Sequence, residues 1–264
     1  MKRKRNKKIE RPFFILIAGG TGSGKTTVAE MIAKASGKRN ILLLSVDNYY
    51  KDRSHLTLKE REKINFDDPD AIEWSLLRKQ FFELIKGNPI KMPIYSFKVH
   101  TRVGYKNIIP KKIIILEGIF ALCDYEINNL ARLRLFVEKD SDLRLIRRML
   151  RDFAHRAYNP TQTLEHWHYV RSSEMRNIIP YSNTANFIIS SAMPYELCFY
   201  AHKLGKNFIA WAKTYKGDPL KTDAYERASR LAELLKHITP VEDESPVPHD
   251  SVLREFIGGS SIVH

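Results

Sequence analysis

The sequence predicts an α/β chain centred on a five-stranded, mostly parallel sheet with helices on both faces. Three observations carry that prediction. Short apolar runs recur at residues 13–18, 41–46, 113–116 and 133–137, with a fifth strand at 186–190, and strands buried on both faces read in this way. Stretches of helical period lie between them, such as 71–86 with Trp74, Leu77, Phe81 and Leu84 on one stripe. Strands alternating with helices favour parallel crossovers. Finally, the first strand runs straight into a glycine-rich loop that opens a helix.

Taken in order, a helix at 26–35 comes after that loop and ends near Gly37, where glycine closes helices well. Residues 90–110 are less regular, with strand-like pieces at 94–97 and 103–109, and read as a β-hairpin projecting from the core. Beyond the fifth strand, helices are expected at 195–203 and 223–237. Residues 239–264 hold Pro240, Pro246, Pro248, Gly258 and Gly259 and read as an irregular tail. One catalytic unit is expected at 11–238, preceded by a disordered basic tail at 1–10, with no internal repeat.

Composition narrows the function. Hydrophobic residues make up 43% and charged residues 28% of the 264, enough for a real core. No apolar run reaches the roughly 18 residues that would read as a membrane span. The start of the chain is basic without the long apolar stretch of a secretory signal. Cys123 and Cys198 lie far apart and outside any CxxC spacing, which fits a reducing cytoplasm and argues against zinc. The net charge of +14 suits either a nucleic acid or an anionic small substrate. Lys2, Arg3, Lys4, Arg5, Lys7 and Lys8 supply six of those charges from a segment with little to pack.

Gly19-Gly20-Thr21-Gly22-Ser23-Gly24-Lys25-Thr26 fits G-x-x-x-x-G-K-[ST] without a mismatch. Glycines let backbone N–H groups close around phosphate oxygens, and the helix behind them points its positive end at the same anion. Lys25 is placed to reach the β- and γ-phosphates and Thr26 to offer its hydroxyl to Mg²⁺, with Thr27 beside them in the same helical turn. The expected fold is therefore the P-loop NTPase fold, with ATP and Mg²⁺ as cofactors.

Two acids stand at strand ends. Glu117 comes after Ile113-Ile114-Ile115-Leu116 and precedes Gly118. It either helps Thr26 organise the metal or faces solvent. Asp47 ends the second strand in Leu44-Ser45-Val46-Asp47-Asn48-Tyr49-Tyr50. Ligands of open parallel sheets sit at that edge, so Asp47 is either a base for an acceptor hydroxyl or the cap of the next turn. His166 and His168 flank Trp167, and residues two apart share no helix face, so they make a poor metal pair.

These motifs, with Asn65-Phe66-Asp67-Asp68-Pro69-Asp70-Ala71, Pro93-Ile94-Tyr95-Ser96-Phe97-Lys98-Val99-His100-Thr101-Arg102 and Leu116-Glu117-Gly118-Ile119, resemble the uridine/cytidine kinases. The likeness runs in order over residues 13–190, within a wider group that includes phosphoribulokinases and bacterial pantothenate kinases. It implies a phosphotransferase acting on a nucleoside. By that resemblance Asp47 is the catalytic aspartate, Asp67 holds ribose hydroxyls, and Tyr50, Phe66, Tyr95, Phe97, His100 and Arg102 line the nucleoside pocket. An aromatic lining suits a flat base, and the same aromatics would equally suit a core.

Residues 140–152 read as an amphipathic helix with Leu143, Ile146, Leu150 and Phe153 on one stripe and Arg144, Arg148 and Arg151 opposite. A solvated charged face is one reading. The resemblance supplies another, a helical lid at about 140–180 in which Arg148, Arg151 and Arg156 face the phosphates. Past that point the likeness frays: Tyr158 stands where the family carries a further arginine. Residues 163–181 and the tail from Ser251 to Gly259 are closer to a bacterial, uridine kinase-like branch.

The favoured acceptor is thus a pyrimidine nucleoside, ribo or deoxy. The alternatives are another small metabolite such as a sugar phosphate or pantothenate, and a nucleic-acid-binding NTPase. No stable nucleic-acid partner and no membrane are expected, and the resemblance leaves room for a homo-oligomer.

Overall fold

The computed structural model describes residues 11–155 and 159–260. Among them are the strands β1 (Phe13–Ala18), β2 (Ile41–Ser45), β3 (Ile90–Ser96), β4 (Thr101–Ile108), β5 (Ile113–Glu117), β6 (Leu133–Glu138) and β7 (Phe187–Ser190). Helices α1 (Lys25–Ala35), α2 (Leu58–Arg61), α3 (Trp74–Ile85), α4 (Tyr125–Leu130), α5 (Ser141–His155), α6 (Pro160–Asn177), α7 (Glu196–Tyr215), α8 (Thr222–Lys236) and α9 (Arg254–Ile257) surround them.

Five strands form one sheet in the order β2-β5-β1-β6-β7, and every pairing in it is parallel. The apolar runs split between its two faces with period two. Phe14, Leu16, Leu42, Leu44, Ile114 and Leu116 pack with Leu77, Phe81 and Leu84 of α3. Ile15, Ile17, Ile115, Leu135 and Val137 pack with Ala29 and Ala33 of α1 on the other face. A separate core joins α5 to α8 around Trp167, Phe208 and Leu231.

Register positions the site. Ile17 of β1 and Ser45 of β2 both stand opposite Glu117 of β5. The carboxyl ends of these three strands are therefore level, and the loops that leave them open on the same edge of the sheet.

Several expected boundaries move. The helix expected over 71–86 starts at Trp74, because Asp68 caps a 3-10 turn at Pro69–Ala71 first. α7 continues past 203 to Tyr215. Gly205 does not stop it, since Leu204 and Phe208 are buried on either side of that glycine in the core shared with α8. The hairpin strands are longer than the strand-like pieces suggest, with a register shift at Ile94/Tyr95. The segment from 239 onward is irregular in the main, yet it is packed: Val247, Leu253 and Phe256 are buried, and it contains α9.

The stripe expected on α5 is also corrected. Leu145, Ile146 and Met149 are its buried apolar residues, while Phe153 is 66% exposed. Arg144 and Arg147 are buried as well. The helix is enclosed by the phosphate loop and by α6, α7 and α9, so it has no single solvent face.

Candidate active site

The loop between β1 and α1 is shaped by backbone rather than by side chains. Gly22 and Gly24 adopt φ 73° and 84°, a left-handed conformation that side chains disfavour. Space is closed as well: a Cβ on Gly22 would come 2.7 Å from the Arg144 carbonyl oxygen. Gly24 is the N-cap of α1 and supplies no capping side chain. The N–H groups of Lys25, Thr26 and Thr27 therefore face outward from the first helical turn, where an anion is favoured.

Arginines hold the loop from behind. Arg144 donates Nη1 to the Thr21 carbonyl at 3.1 Å, and Arg147 donates Nη1 to the carbonyls of Gly22 and Ser23 at 3.3 and 3.4 Å. In a peptide the C=O and the N–H point opposite ways, so pinning the carbonyls turns the N–H groups toward the other side. Both guanidinium groups are buried and paired. Arg144 donates Nη2 to Glu174 at 2.8 Å, and Glu174 also accepts from the Thr21 N–H at 3.2 Å. Arg147 donates Nη2 to Glu196 at 2.7 Å, and Glu196 takes Lys139 on its other oxygen.

On the open side, Thr26 Oγ1 donates to Glu117 Oε2 at 3.1 Å. Glu117 is 4% exposed. Burial pushes its carboxyl up to about 6, Lys25 opposes that rise, and the nearby Asp47 carboxylate adds to it. A hydroxyl and a carboxylate are hard oxygen donors of the kind Mg²⁺ takes. Because Mg²⁺ keeps several waters and uses substrate phosphates, two protein groups suffice. Asp47 lies half-buried in the 3-10 turn Val46–Tyr49, and the cap of that turn is Ser45, whose Oγ accepts the Asp47 N–H at 3.3 Å. Ser45 thus does the capping that sequence offers as Asp47's other reading.

The aromatic residues meet beside this edge. The ring of Tyr50 lies 5.4, 5.1 and 5.9 Å from those of Phe66, Tyr95 and Phe97. Phe66 and His100 stack at 5.1 Å with an 18° tilt. His100 is 5% exposed and holds φ 50°, a left-handed position at the tip of the hairpin. Arg102 ties the hairpin to the core, donating Nε to the Tyr50 carbonyl at 3.0 Å and pairing with Glu73 at 2.6 Å. Asp67 receives Arg148 Nη1 on both oxygens, at 3.0 and 3.1 Å.

A phosphate-shaped loop with an acid and a hydroxyl at its mouth is common to many kinases, and known proteins place this one among them. The model of the phosphoribulokinase / uridine kinase family matches residues 14–197. The chain belongs to the phosphoribulokinase / uridine kinase family. It is therefore a kinase, with a P-loop α/β fold. It is 40% identical to a uridine kinase of Deinococcus deserti over 181 residues, covering 68% of this chain and 87% of that one. It is 42% identical to the uridine kinase of Halalkalibacterium halodurans, with 68% and 86% covered. Over 149 residues it is 48% identical to the uridine kinase of Clostridium novyi, with 55% and 71% covered. Phosphoribulokinase from Rhodobacter spheroides shares the fold, with a TM-score of 0.51 at 17% identity over 68% of this chain and 70% of that one.

The structure redistributes the family's candidate lid arginines. Arg148 reaches Asp67, and Arg151 pairs with Asp152. The arginines at the phosphate loop are Arg144 and Arg147. Arg156 and Tyr158 lie outside the described residues. Sequence alone does not single out Arg147, Glu174 or Glu196. No pattern gives them away: at about 100° per residue Arg144, Arg147, Arg148 and Arg151 fall within one arc of about 100°, as a solvated face would. Their acidic partners lie 30 and 49 residues away, where no local pattern reveals them.

Proposed function

We propose that this kinase transfers the γ-phosphate of MgATP to the 5′-hydroxyl of a pyrimidine nucleoside, uridine or cytidine in the first place and their deoxy forms in the second. One observation carries the reading: Tyr50, Phe66, Tyr95, Phe97 and His100 converge on one aromatic wall next to the strand end that bears Asp47. A flat base is the ligand such a wall suits, since the half-buried rings of Phe66, Tyr95 and Phe97 can contribute stacking or edge contact, backed by the buried Tyr50 and His100. The uridine kinases named above, which match most of their length to this chain, support the same class of acceptor.

In this reading the triphosphate lies in the loop at 19–24, with Lys25 and the first-turn N–H groups on its oxygens. Thr26 and Glu117 would hold Mg²⁺, whose charge would offset that of the phosphates. Asp67 and Arg102 sit at the acceptor side, and Arg148 bridges toward it from α5. Asp47 takes the proton from the 5′-hydroxyl as its oxygen attacks the γ-phosphorus. The bond from that phosphorus to the β–γ bridging oxygen breaks, and ADP leaves. Arg151, with Arg148, is the remaining candidate for charge on the moving group. The two free cysteines suit a reducing, cytoplasmic setting.

ADP release is the test, measured with MgATP against uridine, cytidine, thymidine and deoxycytidine, with pantothenate and ribulose 5-phosphate as controls. Turnover on a pyrimidine nucleoside is expected. Turnover on a control alone would overturn the acceptor assignment.

A further inference from the structure

Residues 247–259 lie beyond the family match at 14–197, yet they pack onto the phosphate loop. Thr27, fully buried in the first turn of α1, donates Oγ1 to Glu255 Oε2 at 2.6 Å across 228 residues of chain. Val252 covers the last loop glycine: a Cβ on Gly24 would come 2.5 Å from its Cγ1. The Arg147 guanidinium, which pins the carbonyls of Gly22 and Ser23, lies 5.0 Å over the ring of Phe256. One segment thus meets the last loop glycine, the first turn of α1 and the arginine that pins the loop.

The segment is itself held in shape. Arg254, 7% exposed, donates to the Val247 carbonyl at 2.8 Å and to the Glu244 carbonyl at 2.7 Å. Glu244 in turn pairs with Lys203 of α7 at 2.7 Å. Gly258 and Gly259 come next, at φ 103° and 73°, and let the chain turn away. The exposed Lys34–Asp250 pair adds little.

Local chemistry gives this contact a purpose. Helices are usually finished at their N-terminus by a capping side chain or a first-turn acid. α1 has neither, because its N-cap is Gly24 at φ 84° and its first turn carries no acid. The phosphate loop requires that glycine, so the ordinary device is excluded. Glu255 supplies an acceptor and a negative charge from elsewhere in the chain, and fixes the Thr27 side chain as a donor. The first turn is thereby set before any phosphate arrives, which lowers the ordering cost of binding.

We propose that Glu255 is a positioning residue for the nucleotide, and that with Val252 and Phe256 it holds the loop and the first turn of α1 in the shape that receives a triphosphate. The inference rests on the reading of ATP as phosphate donor. The test uses the full chain and direct calorimetric binding of the magnesium complex of a non-hydrolysable ATP analogue, so the identity of the acceptor does not enter. Glu255→Ala is expected to weaken binding about 10-fold, the scale of a lost hydrogen bond to a charged group. Glu255→Gln keeps an acceptor oxygen and restores most of the affinity. Val252→Ala, which leaves Glu255 in place, weakens binding by a smaller factor, and nucleotide-free melts check that each variant is folded. In turnover the loss falls on KM for ATP and leaves kcat nearly unchanged. Affinity that is unchanged or higher in folded Glu255→Ala overturns the proposal; higher affinity would mean that the carboxylate competes with phosphate. An unmodified chain that binds no analogue would overturn the donor reading and this inference together.

Discussion

The two ends of the site are built by different means. At the donor end a backbone loop is fixed by buried polar pairs whose members are scattered along the chain: Arg144 with Glu174, Arg147 with Glu196, Thr27 with Glu255. At the acceptor end the aromatic wall and its acids come from one stretch, 47–102, held by ring contacts and side-chain bonds to nearby carbonyls. The donor end recognises a group that every kinase of this kind shares, so rigidity serves it. The proposed acceptor end must fit one molecule, and its wall comes from a single stretch that α5 meets through the Arg148–Asp67 pair.

That contrast can be broken at either end. The largest effect is expected at the junction. Asp47→Asn should lower kcat by about 10³-fold while leaving nucleotide binding nearly intact, because only proton acceptance is lost. Rapid-quench turnover alongside calorimetry checks it, and near-normal turnover would remove Asp47 from the mechanism. Next comes the donor scaffold. Arg147→Ala leaves buried Glu196 with Lys139 as its one cation among the described residues and should destabilise the fold by about 3–5 kcal/mol in urea unfolding.

A smaller effect with the opposite sign is expected at Glu117. Its carboxyl is raised from 4.5 to about 6 in the metal-free fold, chiefly by burial. The folded state therefore holds the proton more tightly than the unfolded chain. Stability falls as pH climbs from about 4.5 to 6, and the full penalty of roughly 2 kcal/mol applies above that window. Glu117→Gln should stabilise the metal-free protein by that order at pH 7.5 and show little gain at pH 4. Melting curves at the two pH values decide it. Smallest is His100→Ala, expected to raise KM for the nucleoside about 10-fold, from one lost ring contact, with KM for ATP unchanged. A matching rise in KM for ATP would show that the two ends are coupled after all.

Legibility in the sequence divides along the same line. The loop, the apolar strands and Glu117 are readable because each is contiguous and its chemistry demands a fixed residue at a fixed place. The acceptor wall needs the family's motifs, since Tyr50 or Phe97 alone looks like any core aromatic. α5 misleads for a physical reason: amphipathic patterning assumes one solvent face, and this helix is covered by the loop, by α6 and α7, and by Phe256. Buried arginines look like surface arginines until their carboxylates are found, and those carboxylates are set by tertiary packing. The docking of residues 247–259 is invisible likewise, because prolines and glycines signal irregular backbone and say nothing of whether that backbone is packed.

The position of β1 has a consequence for how the protein is made. It is the central strand of the sheet, and both its neighbours, β5 and β6, come about a hundred residues after it. The phosphate loop leaves the ribosome well before either neighbour of β1, since β5 ends at Glu117 and β6 at Glu138. Its Thr27 hydroxyl finds its acceptor only at residue 255. Contacts this distant in sequence form slowly. The apolar run 13–18 therefore has to be kept from other partners while about a hundred further residues are made, which gives a chaperone reason to hold it.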